Sequence, residues 1–413
     1  MPRRRVATKR LVVAFVLALA AVALAACGKS SSDDEETKKG SAGVKQASDE
    51  STGDVDWPLF GRIKNRTHYL RGQDLDPPLK EVWAYQEGVL LEYPPALQDG
   101  VLYLADKAGD IRAIRASTGD TIWRIPGAGG ANSAPDDTTG PAYFHGRVFI
   151  AMQRGEVFAL DPQTGKEMWR RRLPTQLESS PLVVRGTVYL GSDKGILYAL
   201  DTRNGKIRWT YKAATEPVKT SPAYAAGKIF FADYGGTVHA VSAKNGKKIW
   251  QTDTEGMAGG SGGFYSSPAI AADKLFIGRD DGGLFALDQS SGKILWSKQT
   301  GKPIIGSPAV AKVRGTPLSV YIGNYAGTLY AFEATGGKPR WTYKVGGAIP
   351  GTPSVIGTTV YTSSFQTQEA VGVEAKSGKK VWRFAAPGYT PMISDGERLY
   401  LIGYESLRAL EPQ

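Results

Sequence analysis

The stretch Ala159–Trp169, ALDPQTGKEMW, reads locally as a strand, a tight turn and a second strand, and it returns with small changes as ALDTRNGKIRW ending at Trp209, AVSAKNGKKIW ending at Trp250 and ALDQSSGKILW ending at Trp296. A hairpin that recurs at near-constant spacing describes a repeating architecture rather than a local accident. Working outward, tryptophans stand at Trp83, Trp123, Trp169, Trp209, Trp250, Trp296, Trp341 and Trp382, spaced 40 to 46 residues apart. That spacing is the one expected of propeller blades, so eight tryptophans predict eight blades.

Two further series repeat the count. Prolines open short apolar segments at Pro95, Pro141, Pro181, Pro222, Pro268, Pro308, Pro353 and Pro391. Alternating strands follow, from DIRAI, EVFAL and ILYAL to the degenerate AVGV and the terminal SLRAL. Within one repeat the pattern predicts four strands: SSPLVVRG, TVYLGSDKG, ILYALDTRNG and KIRWTYK. Alternation of apolar and polar positions between glycine- and asparagine-rich turns is the mark of half-buried antiparallel strands. The glycine four residues before each internal tryptophan (Gly119, Gly165, Gly205, Gly246, Gly292, Gly337, Gly378) supplies the positive φ that a short hairpin turn requires. The acid eight residues before it (Asp161, Asp201, Asp288, Glu333, Glu374) recurs with the turn, so it reads as a turn cap and not as an acid-base catalyst.

The ends of the repeat array are complementary. Trp83 has Leu79 where the others have glycine and no hairpin strand before it, while YTPMIS, RLYLIG and SLRALEP at the C-terminus provide three strands without a fourth. The expected fold is therefore an all-β, eight-bladed propeller of four-stranded antiparallel blades, closed by pairing the N-terminal strand around Trp83 with the C-terminal strands. Closure removes two exposed sheet edges.

Ahead of the array, Arg3, Arg4, Arg5, Lys9 and Arg10 precede an apolar run from Leu11 to Ala26, which predicts an export signal over residues 1–26. The sequence Leu24-Ala25-Ala26-Cys27-Gly28 resembles a bacterial lipobox, which implies lipid attachment at Cys27, the only cysteine of the chain. Residues 27–56 then read as a lipidated cysteine and a polar, disordered tether, and residues 57–413 as the propeller. Loss of the five basic leader residues takes the formal charge from +11 to +6. The remaining lysines are spread over the turns rather than clustered, so no nucleic-acid partner is expected.

The pattern Ala-x-Asp-x-x-Thr-Gly-Lys-x-x-Trp, met in full by Ala159–Trp169, together with Trp57-Pro-Leu-Phe-Gly-Arg62 and Asn65-Arg66-Thr67, resembles the PQQ-binding-like β-propellers built from tryptophan-docking repeats. The resemblance implies that Trp123, Trp169, Trp209, Trp250, Trp296, Trp341 and Trp382 form a structural girdle between blades. Quinoprotein dehydrogenases of that family hold their quinone in the tunnel against a disulfide of adjacent cysteines, beside calcium and a catalytic aspartate. A single cysteine cannot make that disulfide, and there is no C-x-x-C-H haem motif. No catalytic residues, metal ligands or cofactor are expected, with PQQ implied by the family name alone.

His68, His145 and His239 lie in separate repeats, and His239 in TVHAV reads as a packing histidine. The glycine-rich runs Gly127–Gly130 and Gly259–Gly263 join strands without a following helix, so they are candidate flexible binding connections and not phosphate loops. They share a face with the turns between second and third strands. Candidate interaction residues on that face are Arg154, Asp193, Tyr234, Met257 and Phe264, and further round Tyr265, Arg279, Asp280, Tyr325 and Phe365. Lipidated members of the family resemble the BamB-type lipoprotein of the outer-membrane β-barrel assembly machine. This implies a non-catalytic, monomeric scaffold in the cell envelope. It would be anchored to a bilayer through Cys27, on the outer face of the cell membrane or the periplasmic side of the outer membrane, and would bind another envelope protein such as a β-barrel assembly subunit. A different class of function, binding a small molecule or glycan in the tunnel, stands as the alternative, with a degenerate PQQ-dependent dehydrogenase as the third reading.

Overall fold

In a computed structural model, the structure describes residues 55–413 except 74, 76, 87, 128–136, 213, 365, 387 and 390. Cys27 and the leader lie outside the described residues. Eight antiparallel sheets follow one another around a central axis. The blade of Trp169 is representative, with strands Ala142–Tyr143, Val148–Ala151, Glu156–Leu160 and Glu167–Arg172 in order from the axis outward. Among the described residues the only helical element is a single 3-10 turn, Met257–Gly259. No helix among them is long and apolar enough to cross a membrane.

The ring closes as the sequence predicts. Leu79–Gln86 forms the outer strand of the last blade against Ser406–Pro412, pairing Leu79 with Pro412 and Trp83 with Ala409. The sheet is thus completed by residues more than 300 positions apart.

Each blade places a small residue across the strand pair from its tryptophan: Ala113 faces Trp123, Ala159 faces Trp169, Ala199 faces Trp209, and Gly372 does the same for Trp382 in the degenerate repeat. A β-bulge follows at that point in every blade, which sharpens the local twist. With no bulk opposite, the indole lies across its own sheet and reaches the next one. Trp169 Nε1 donates to Thr202 O of the following blade at 2.7 Å, and Trp123, Trp209, Trp250, Trp296 and Trp341 donate to Pro162, Ala243, Gln289, Ala334 and Ala375 at 2.8 to 3.2 Å. Trp83 joins the same girdle through Ala116 O at 3.1 Å. Trp382 faces the last blade, whose third and fourth strands come from opposite ends of the chain and share no turn.

The turn glycines carry a second constraint beyond their positive φ. A Cβ on Gly205 would stand 2.7 Å from the Trp169 ring, and one on Gly246 would stand 2.5 Å from that of Trp209. The indole of one blade therefore rests on the bare backbone of the next blade's turn, and any side chain there would lift it off. Acidic caps keep those turns in shape: the Asp161 carboxylate accepts the backbone N–H groups of Gln163 and Thr164, and Asp288 accepts those of Ser290 and Ser291. The apolar core lies between blades, as in the cluster joining Phe149, Trp169, Tyr189 and Leu200.

Candidate functional site at the open tunnel mouth

The inner strands define the tunnel, and their first residues explain the proline series. Proline has no N–H to leave unpaired at the axis, and it holds the residue before it extended. That preceding residue is Ser180, Ser221, Ser267, Ser307 or Thr352, and each hydroxyl accepts a backbone N–H from the neighbouring blade. Ser180 N donates to Ser221 Oγ, Ser221 N to Ser267 Oγ and Ser267 N to Ser307 Oγ, each at 2.9 Å, and Ser307 N donates to Thr352 Oγ1 at 2.8 Å. Gly140 N enters the belt by donating to Ser180 Oγ at 3.1 Å.

Below the belt the tunnel is sealed by the chain's own N-terminal segment. The inner edge of each innermost strand carries N–H groups with no sheet partner, and these need acceptors. Carbonyls of Trp57, Pro58, Lys64, Asn65, Thr67 and His68 accept the N–H groups of Leu97, Tyr143, Tyr224, Ile270, Val310 and Val355 at 2.7 to 2.9 Å. Every donor lies two residues after the blade's proline. Tyr69 and Leu70 continue alongside Val355 and Ile356 as a short parallel strand. In the blade of Pro181, which contributes no such N–H, Arg66 fills the gap: its guanidinium donates to Ser180 O at 3.2 Å and Pro181 O at 3.4 Å, and also to Pro222 O and Phe60 O. Burial lowers the Arg66 pKa to about 9. His68 is wholly buried beside it, and burial together with the Arg66 charge pulls its pKa down to about 3.

Above the belt the tunnel stays open as a funnel of about 1080 Å³ floored by Phe60. Its walls come from connections between blades and from turns between second and third strands. Among the described residues they carry five tyrosines (Tyr93, Tyr234, Tyr265, Tyr325 and Tyr389) and six carboxylates (Glu92, Glu178, Glu216, Glu255, Asp280 and Asp281) against one lining cation, Lys219. Tyr93 donates its hydroxyl to Glu178 O at 3.1 Å, and burial, reinforced by the charges of Glu92, Asp137 and Glu178, pushes its pKa well up. Burial also raises Tyr234, Tyr265, Tyr325 and Tyr389, so these phenols stay neutral.

The residues singled out from the sequence separate into distinct roles here. Tyr234, Tyr265, Asp280 and Tyr325 line the funnel. Met257 is 45% exposed in the turn between the lining residues Glu255 and Ser261, and Arg154 and Asp193 are half-buried in the turns of other blades. Two expectations are corrected. Phe264 is wholly buried against Phe285, because the connection turns it into the core between blades. Arg279 is also wholly buried and belongs to no interaction face: it donates to Thr254 O, Met257 O and Gly260 O, pairs with Asp281 at 2.7 Å and stacks on Phe285. The connection from Thr254 to Gly263 is consequently tied down by one guanidinium and is not a loose loop. Burial would raise Asp281, but the hydrogen bonds from Arg279 outweigh it and hold its pKa below the usual range. His239 has a polar partner as well as packing, with Nε2 2.9 Å from Asp233 Oδ2 and its ring stacked on Phe231. Phe365 and residues 128–130 of the first glycine run lie outside the described residues.

The sequence reading passed over Tyr93, Tyr389, Tyr404 and the acids Glu92, Glu178 and Glu216. A signal exists for the first two, since YPP and YTP put tyrosine two residues before the proline, where the other segments carry serine, threonine or glycine. A tricarboxylate quinone does not fit this funnel: it would face six carboxylates, and the one lining ammonium is already paired with Glu178 at 2.5 Å. Among the described residues, no group of three or more His, Cys, Asp or Glu side chains stands close enough to hold a metal ion.

Comparison with known proteins follows the same division. The chain is 30% identical over 129 residues to a quinohemoprotein alcohol dehydrogenase of Comamonas testosteroni, covering 28% of this chain and 18% of that protein. It is 32% identical over 93 residues to the outer membrane protein assembly factor BamB of Escherichia coli, covering 22% of this chain and 24% of that protein. The matches thus span less than a quarter of either relative's length. Among solved structures, BamB from Moraxella catarrhalis superposes with a TM-score of 0.66 at 19% identity, over 81% of this chain and 99% of that one. The Comamonas dehydrogenase superposes at 0.69 with 16% identity, over 86% of this chain and 80% of that one. Both likenesses establish the fold, and relatives that are named as enzymes and as an assembly factor leave activity to the site itself. The family model described as outer membrane protein assembly factor BamB matches residues 107–262, 235–316 and 313–406, and the chain belongs to that family of PQQ-like repeat propellers.

Proposed function

We propose that this protein is a non-catalytic propeller of the cell envelope, anchored through Cys27, which docks a partner protein on the face around its open tunnel mouth. The observation that carries this reading is the asymmetry of the ring. Val55 and Asp56 enter beside Gly396 and Gln98, at the face opposite the funnel. The first described residues therefore stand away from the funnel and leave its face clear for a partner. Away from the outer strands, the large apolar side chains most exposed among the described residues are Met257 at 45%, in the turn between the funnel-lining Glu255 and Ser261, and Tyr404 at 44%, against the funnel-lining Tyr389. Rim residues of this type, on a rigid scaffold, are the usual anchors of a protein contact. The name of the relatives supplies the partner class, a subunit of the outer-membrane assembly machinery.

The test is crosslinking of the full chain in native membranes, with identification of the captured proteins. A Met257→Glu/Tyr404→Glu variant is compared with Ile249→Glu, which places the same charge on an outer strand. Enrichment of an assembly subunit, lost in the rim variant and kept in the control, is the expected result. Capture that persists in the rim variant, or no assembly subunit above background, overturns the reading.

A further inference from the structure

We propose that the funnel is a binding site for a linear organic polyamine, whose ammonium groups are taken by carboxylates on separate blades while its aliphatic stem lies against the tyrosine walls. The cavity holds about 1080 Å³, within the range of a small-molecule site with room to spare. Its charge is opposite to that of the chain as a whole, which carries a formal +11, or +6 without the five basic leader residues. A negative, low-dielectric cleft on a basic protein concentrates cations locally and repels anions.

The chain's own Lys219 demonstrates the recognition. Its aliphatic stem brings the ammonium 2.5 Å from Glu178 Oε1 and 5.7 Å from the centre of the Tyr265 ring. One alkylammonium is therefore already held between a carboxylate and an aromatic face, an arrangement that favours cations when partly desolvated. Beyond this pair the carboxylates outnumber their cations. Asp281 is matched by Arg279, and Lys107 is shared between Glu92 and Asp137. Glu216 and Glu255 are exposed at the funnel wall, and Asp280 takes the Gly263 N–H at 2.8 Å. Glu178, Glu216 and Glu255 come from successive connections between blades and Asp280 from a turn of the next blade, so a single point charge cannot satisfy them together, whereas amines spaced along an apolar chain can. Neutral phenols between them offer hydrogen-bond donors and π faces without adding charge.

The site is independent of the partner reading, which rests on Met257 and Tyr404 of the rim. Isothermal titration calorimetry of the full chain with spermidine, at fixed physiological ionic strength, tests it directly. Saturable one-site binding is expected, with affinity reduced about tenfold or more in Glu216→Gln/Glu255→Gln, which removes two full charges without touching a buried group. Magnesium chloride at equal charge concentration is expected to compete weakly, because it lacks the apolar stem. Absence of saturable heat, an unchanged affinity in the double variant, or displacement by magnesium as effective as by spermidine overturns the proposal. Thermal melting of the double variant confirms that any loss is not unfolding.

Discussion

At one mouth of the tunnel the backbone of Trp57 to Leu70 gives its carbonyls to one inner strand after another. At the other mouth a run of five hydroxyls, Ser180 to Thr352, links the starts of neighbouring inner strands and leaves a funnel open above it. The two ends differ in what holds them. The sealed mouth is built from backbone hydrogen bonds and buried side chains, so it is part of the folding energy. The open mouth is built from side chains on connections that the ring already positions, so its chemistry can vary with little effect on stability. Function can therefore be sought at the open mouth without expecting it at the sealed one.

Breaking the sealed mouth should have the largest effect. Arg66→Ala leaves four carbonyl partners without their buried donor, and a loss of about 3–5 kcal/mol is expected, read from urea denaturation of the full chain. An unchanged midpoint would mean that the N-terminal segment only rests in the tunnel. Next comes the seam that both mouths depend on. Gly205→Ala introduces a Cβ 2.7 Å from the Trp169 ring at a φ of +65°, and should cost about 2 kcal/mol, whereas Gly227→Ala, with open space around it, should lose only the backbone-strain part.

The third prediction concerns pH. His68 titrates near 3 in the folded protein, well below the unfolded value of about 6.5, because burial and then Arg66 disfavour its charge. Between those values the unfolded chain binds a proton that the native state does not, so stability falls as pH drops below about 6.5, by up to about 1.4 kcal/mol per unit. Asp106 and Asp137, each raised to about 6 by burial, act in the opposite sense as pH rises from about 4 to 6. The His68 contribution should therefore be read as the difference between wild type and His68→Gln: wild type loses stability faster on acidification. Parallel curves for the two proteins would show that His68 takes up its proton in the native state.

The smallest effect is expected at the open mouth. Glu216→Gln and Glu255→Gln should each shift stability by no more than about 0.5 kcal/mol in thermal unfolding, since both side chains are exposed. A loss comparable to that of Arg66→Ala would erase the distinction between the two mouths.

Legibility in the sequence follows the same line. The blade count, the strand order within a blade and the closure through Trp83 are readable because each rests on a signal repeated every 40 to 46 residues. The turn glycines were assigned from φ alone, and their contact with the preceding blade's indole was invisible because it joins residues some 40 positions apart. Arg279 and Phe264 were misplaced for a related reason: a charged or aromatic residue on a connection reads as exposed until the path of that connection is known.

By itself the sequence determined the propeller, its eight blades, the tryptophan and glycine positions and the pairing of the two chain ends, because short-range periodicity of strands and turns dictates them. Only the tertiary structure decided that Trp57 to Leu70 seals one mouth, that Ser180 to Thr352 form a belt, and that tyrosines and carboxylates from separate blades meet in one funnel. Those groups are neighbours around an axis and strangers along the chain, and nothing local in the sequence brings them together before the ring closes.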